Sequence, residues 1–194
     1  MKKQTGFTLI ELIIGLVIFS IMAALAAPNY GAFVRSNRQT AAYNTLVGTI
    51  SLARLEAVKS SRVVTLCISS NQSSCDGTTN EWNNGWIVFS DFGGDGVVDT
   101  ADGDTILKSE VASGRGLTIR SAAFPSSITI APRGRLRSQG SFVICDSSGE
   151  AENGMALNLW VTGLGRLATD DDDDDIVEDL ANDPISCPST GTSD

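Results

Sequence analysis

Gly6-Phe7-Thr8-Leu9-Ile10-Glu11-Leu12 opens an apolar run, FTLIELIIGLVIFSIMAALAA, that extends from Phe7 to Ala27 behind a short basic leader. As a helix the run is roughly 30 Å long, about one hydrocarbon thickness. A plain transmembrane helix accounts for the length but not for Glu11. A secretory signal peptide accounts for Lys2, Lys3, the apolar run and the small-residue stretch Ala24-Leu25-Ala26. It accounts poorly for Glu11, because a charge inside such a segment opposes insertion by roughly 2–3 kcal/mol near the helix centre and less toward its end.

The same seven residues resemble the type IV prepilin signature, which accommodates the glutamate as well. That resemblance implies cleavage between Gly6 and Phe7 by a dedicated prepilin peptidase, which then methylates the new N-terminal phenylalanine. Glu11 becomes the fifth mature residue, where this family carries a glutamate. Its implied role is electrostatic: the carboxylate meets the Phe7 ammonium of a neighbouring subunit in a low-dielectric helix bundle. Pro28 falls at another family position, where its missing N–H would kink or locally melt the helix.

The rest of the composition bounds the function. The chain has 194 residues, room for one modest domain and an anchor. It carries 14 basic against 23 acidic residues, a formal charge of −9, so nucleic acid would need a local basic patch. There is no histidine, which removes the commonest general base and the usual zinc ligand. No other catalytic constellation stands out, and the chain is read as a non-enzyme. The four cysteines, Cys67, Cys75, Cys145 and Cys187, lack a C-x-x-C spacing. Behind an export-type N-terminus they read as disulfides formed outside the cytoplasm.

Beyond Pro28 the helix is expected to resume through about Ser61, with Leu46, Ile50, Ala53 and Ala57 on one apolar stripe. Arg35, Arg38, Arg54 and Lys59 mostly fall off it, facing water or neighbouring subunits. After Ser61 the pattern turns extended, in short β-type runs at Val63 to Ser69, Trp86 to Ser90, Thr105 to Lys108, Leu117 to Arg120, Ile128 to Ala131, Phe142 to Cys145 and Met155 to Val161. Gly-, Asn- and Asp-rich turns separate them. One long helix followed by strands predicts an α+β fold, an antiparallel sheet packed on the helix.

Ala53-Arg54-Leu55-Glu56-Ala57-Val58-Lys59, the strand containing Cys67, Gly85-Trp86-Ile87-Val88-Phe89-Ser90-Asp91, Phe142-Val143-Ile144-Cys145-Asp146 and Gly165-Arg166-Leu167 together resemble the GspH/FimT/FimU group of minor pilins and pseudopilins. The resemblance covers most of Phe7 to Ala168 and implies the type IV pilin-like fold with a long kinked N-terminal helix. The expected organisation is a cleaved leader at 1–6, a transmembrane and filament-core helix at 7–27, an amphipathic helix at 28–61, a β-rich head at 62–168 and an acidic tail at 169–194. The implied function is a structural minor pilin of a type IV pilus, or a pseudopilin of a type II secretion system. The implied partners are other pilin or pseudopilin subunits, the prepilin peptidase/methyltransferase and the bacterial inner membrane, crossed once, with a periplasmic head.

Three further clusters are candidates. Arg133, Arg135 and Arg137 alternate, and on a strand they would share one face able to grip phosphates. Some FimT-type pilins bind DNA through a Gly-Arg-x-Arg motif late in the head. Here Gly165-Arg166-Leu167-Ala168 stands at that place without the second arginine, and Gly134-Arg135-Leu136-Arg137 lies earlier. A DNA-binding minor pilin acting in DNA uptake, using these three arginines and Arg166, is therefore the alternative function. Asp91, Asp95, Asp99, Asp102 and Asp104 crowd a Gly-rich loop, read as an acidic turn with Ca2+ as the alternative, because the EF-hand spacing is absent. No other cofactor is expected. Asp170 to Asp175 read as a solvated, mobile run, with a metal cluster as the alternative.

Four cysteines allow three connectivities. The favoured one joins Cys67 to Cys75 across a short hairpin loop and Cys145 to Cys187, tying the tail to the sheet. Trp82, Trp86 and Trp160 are assigned to core and turn packing.

Overall fold

The computed structural model describes residues 8–77, 80–111 and 116–187, with the backbone alone at 24–29. The chain divides into two compact units, Met1–Asn37 and Arg38–Asp194. A single helix, α1, runs from Leu9 to Ser60 over 52 residues. Its helical assignment continues through Pro28 without a break. Helix entry is fixed by a capping box, Thr8-x-x-Glu11, detailed with the site below. In the first unit α1 leaves Leu9, Ile10, Leu12, Leu16, Phe19 and Met22 exposed, a surface that water does not favour. Among the described residues no helix is long and apolar enough to cross a membrane. The apolar run read from the sequence continues at both ends, at Phe7 and at Ala24 to Ala27, into side chains outside that description.

In the second unit Ala42, Leu46, Ile50, Ala53 and Ala57 form the buried stripe of α1. Their spacing of three and four places them on one face. Among the described residues eight strands follow: β1 (Val63–Ile68), β2 (Gly85–Asp91), β3 (Thr105–Val111), β4 (Leu117–Arg120), β5 (Ser127–Ile130), β6 (Gly140–Asp146), β7 (Met155–Leu159) and β8 (Gly165–Leu167). The head holds two four-stranded sheets rather than one. The first has the order β3-β2-β1-β5 and the second β4-β6-β7-β8. All pairs are antiparallel, with Val63 opposite Asp91 in β1/β2 and Ile144 opposite Met155 in β6/β7.

One core joins α1 to both sheets. It contains Leu46 and Ile50 from the helix, Leu66 and Val88 from the first sheet, and Ile119, Phe142 and Leu157 from the second. Trp82 stands edge-on to Phe142 at 5.1 Å between ring centroids, and Phe124 stacks on Phe142 at 5.5 Å. The Trp82 indole N–H donates to the Phe124 carbonyl at 2.8 Å, so the burial of its polar atom is satisfied. The Trp86 N–H donates to Thr49 Oγ1.

The acidic tail is tied to the second sheet by Cys145–Cys187, as the favoured pairing implies, and Asp171 to Asp175 are exposed. Residues 169–187 fold back onto the second sheet, where Ile185 is buried with Ala156 and Ala168, and Val143, Ile176 and Val177 pack against them. The like charges that suggest an extended chain are outweighed by these apolar side chains and by a covalent tie.

Candidate functional site

The processing junction, Gly6 and Phe7, lies outside the described residues. The first described turn positions Glu11. Its Oε2 accepts the Thr8 backbone N–H at 3.1 Å and the Thr8 hydroxyl at 3.0 Å, while the Glu11 N–H donates to Thr8 Oγ1 at 3.3 Å. This reciprocal arrangement satisfies donors that a helix start leaves unpaired. Sequence reasoning singled out Glu11 for its charge and missed the cap, although Thr8-Leu9-Ile10-Glu11 carries the spacing. The glutamate is thus held, exposed, at the helix start within its own chain.

Both cystines form as favoured: Cys67 joins Cys75, and Cys145 joins Cys187. Cys67 sits in β1 among Ile87 and Phe89, and Cys145 in β6.

Arg133, Arg135 and Arg137 do not lie on a regular strand. They occupy the β5–β6 connection, where the Ala131 N–H donates to the Arg135 carbonyl and the Gly134 N–H to the Ala131 carbonyl, each at 2.8 Å. Gly134 has φ +73°, and a Cβ there would stand 2.9 Å from Val58 Cγ2, so both the turn and the close approach of α1 require glycine. This left-handed residue separates Arg133 from the other two, which flank the buried Leu136. Arg54, assigned from sequence to water or neighbouring subunits, instead donates from Nε to the Gly134 carbonyl at 3.1 Å. Arg166 is elsewhere, exposed on β8 opposite Asn158 and sharing a cleft with Asp171 and Asp179. The four arginines thus sit on two separate elements, one bordered by acids of the tail.

The Asp91–Asp104 loop is built on its own carboxylates. Asp91, 1% exposed, accepts the N–H groups of Gly94, Asp95 and Gly96 and the Thr65 hydroxyl. Asp104 accepts the N–H groups of Phe92 and Asp99. Asp95 and Asp99 turn back to Val97 and Ala101. Carboxylates so engaged shape a turn. In the tail, one carboxylate oxygen from each of Asp170, Asp172, Asp174 and Glu178 lies within 4.8 Å of the others. Oxygen ligands of this kind suit a hard divalent cation. Yet Asp170 also accepts the Asp173 and Asp175 N–H groups, and Glu178 that of Asp171.

Against known proteins, the description "Type II transport protein GspH" matches residues 42–165, and "Prokaryotic N-terminal methylation motif" matches residues 1–27. The chain belongs to the GspH family. It is a minor pilin or pseudopilin, which assembles with other pilin-like subunits in a membrane-anchored pilus or pseudopilus. No protein with a curated description matches it. Among solved structures it resembles the type IV minor pilin FimU of Pseudomonas aeruginosa at 19% identity, covering 71% of this chain and 92% of that one, with a TM-score of 0.56. A second crystal form of FimU aligns at 20% identity over 67% and 92% of the two chains, with a TM-score of 0.51. At these identities the FimU alignments show a shared fold. The minor pseudopilin EpsH of the Vibrio cholerae type 2 secretion system aligns at 14% identity over 67% and 95%, with a TM-score of 0.42. The GspH match stops within β8, so the folded acidic layer lies beyond it.

Proposed function

We propose that this GspH-family chain is a structural, non-catalytic subunit that primes or caps a filament after processing at Gly6-Phe7. The observation that carries this reading is the methylation-motif match at residues 1–27 in the same chain as the GspH match at 42–165. The precursor enters the bacterial inner membrane once, through the Phe7–Ala27 helix, with its head in the periplasm. Prepilin peptidase removes Met1 to Gly6 and methylates Phe7. Extraction of the helix into a bundle of like helices then buries its apolar surface, and Glu11 meets the ammonium of a neighbouring Phe7. Gene neighbourhood separates the two machines that use this mechanism, a type IV pilus and a type II secretion system.

Intact-mass measurement of membrane-extracted protein tests the proposal. The expected mass is that of a chain beginning at N-methylated Phe7, and replacing Gly6 with a bulky residue should leave the uncleaved precursor in the membrane. A mature chain beginning at Ala27 would show a signal peptide instead and remove the anchor on which the mechanism rests.

A further inference from the structure

The acidic layer is attached in an unusual way. Residues 170–187 contain Asp170 to Asp175, Glu178, Asp179 and Asp183, and no lysine or arginine follows Arg166. Among the described residues none of these carboxylates forms an ion pair with a lysine or arginine. Four of them crowd within 4.8 Å of one another, so repulsion opposes the folded arrangement.

What holds it is modest. The Glu178 N–H donates to the Thr169 carbonyl at 3.1 Å, and the Ile185 N–H to the Val177 carbonyl at 3.1 Å. The Leu180 N–H reaches Ser141 Oγ on β6 at 2.8 Å. The apolar contact is a small cluster distinct from the main core. The far end seats against Gly154, where a Cβ would meet Ile185 Cδ1 at 2.6 Å and Cys187 Sγ at 3.2 Å. One covalent bond, Cys145–Cys187, returns that end to β6 across 42 residues of sequence.

We propose that residues 169–187 form a redox-held strap, docked on the outer face of the second sheet only while Cys145–Cys187 is intact. The bond keeps the strap's far end at high effective concentration beside its seat, which offsets the mutual repulsion of the carboxylates. A dithiol reductant would open it by thiol–disulfide exchange. Two electrons and two protons pass from the dithiol to the cystine, giving two cysteine thiols as the reductant closes its own disulfide. Release uncovers Val143 on β6, Ala156 on β7 and Ala168, while the main core stays closed.

Hydrogen exchange of the full chain in detergent, read by mass spectrometry, tests this. In Cys187→Ser the amides of Glu178, Leu180 and Ile185 should exchange at least about tenfold faster than in the wild type, while β1 and β7 stay within about twofold. Cys75→Ser, which removes the other disulfide, should leave the strap protected. Treating Cys75→Ser protein with a dithiol should reproduce the Cys187→Ser pattern, and this arm serves if Cys187→Ser fails to accumulate. Adding Asp172→Asn and Asp174→Asn to Cys187→Ser should restore part of the protection by removing repulsion. Unchanged strap protection without the bond would overturn the proposal. So would faster exchange throughout the head, which would make the bond a staple of the whole domain. No restoration by the asparagine pair would remove the electrostatic cause.

Discussion

Glu11 caps its own helix and, in the proposed assembly, meets a neighbour's ammonium, and substitution separates the two roles. Within the chain its carboxylate closes a capping box with Thr8. A glutamine can make the same hydrogen bonds, since capping boxes accept either residue. Attraction to a neighbour's ammonium needs the charge. Glu11→Gln should therefore keep the helix start and insert in the membrane at least as well as the wild type, because a charge has been removed. It should nevertheless enter filaments poorly, as should Glu11→Ala. Immunoblotting of sheared filaments against the membrane fraction reads both steps. If the Gln protein is incorporated normally and the Ala protein is not, the cap is what assembly needs and the ion pair is dispensable.

At the scale of elements, the arginine turn is the place where local chemistry and net charge disagree. The left-handed Gly134 breaks the alternation that would align three guanidiniums, and Arg54 spends its Nε on the turn's own carbonyl. Acid lies close by: a Cβ at Gly94 would stand 3.9 Å from an Arg137 guanidinium nitrogen, and Asp95 follows in the same loop. A few phosphate contacts give weak affinity once salt is present, and screening confines each charge to about 8 Å at physiological strength. The purified protein should retain no DNA near roughly 150 mM salt. Any binding at low salt should vanish when Arg133, Arg135 and Arg137 become alanine. Micromolar retention at the higher salt, lost on those substitutions, would establish the DNA-receptor function. The same segment shows where sequence reading stops. Alternating Arg133, Arg135 and Arg137 look like a strand face, and only the backbone at Gly134 reveals a turn. By contrast, the helix stripe was legible, because spacings of three and four admit one buried face and Leu46, Ile50, Ala53 and Ala57 occupy it.

The whole molecule was less legible than its pieces, because periodicity identifies a strand without naming its partner. Seven short runs bounded by Gly, Asn and Asp were read as strands, yet nothing in them told that β4, β6 and β7 leave the first sheet to form a second. β8, three residues long, was too short to register as a strand. The six aspartates of the tail hid Ile176, Val177 and Ile185, which dock it. The two sheets nevertheless share one core, which runs through both and meets at Phe142. That ring lies in β6 of the second sheet, touches Trp82 on the β1–β2 connection of the first sheet and Phe124 on the β4–β5 connection between the sheets, and is fully buried. Phe142→Ala should cost about 3–5 kcal/mol, the usual range for emptying an aromatic site in a core. Were the sheets independent, only the second would suffer. With a shared core, urea unfolding followed by tryptophan fluorescence and by far-ultraviolet circular dichroism should shift together to lower midpoints. Amides of β1 and β7 should also lose protection in parallel. Retained protection in β1 alongside rapid exchange in β6 and β7 would show two folding units where the packing implies one.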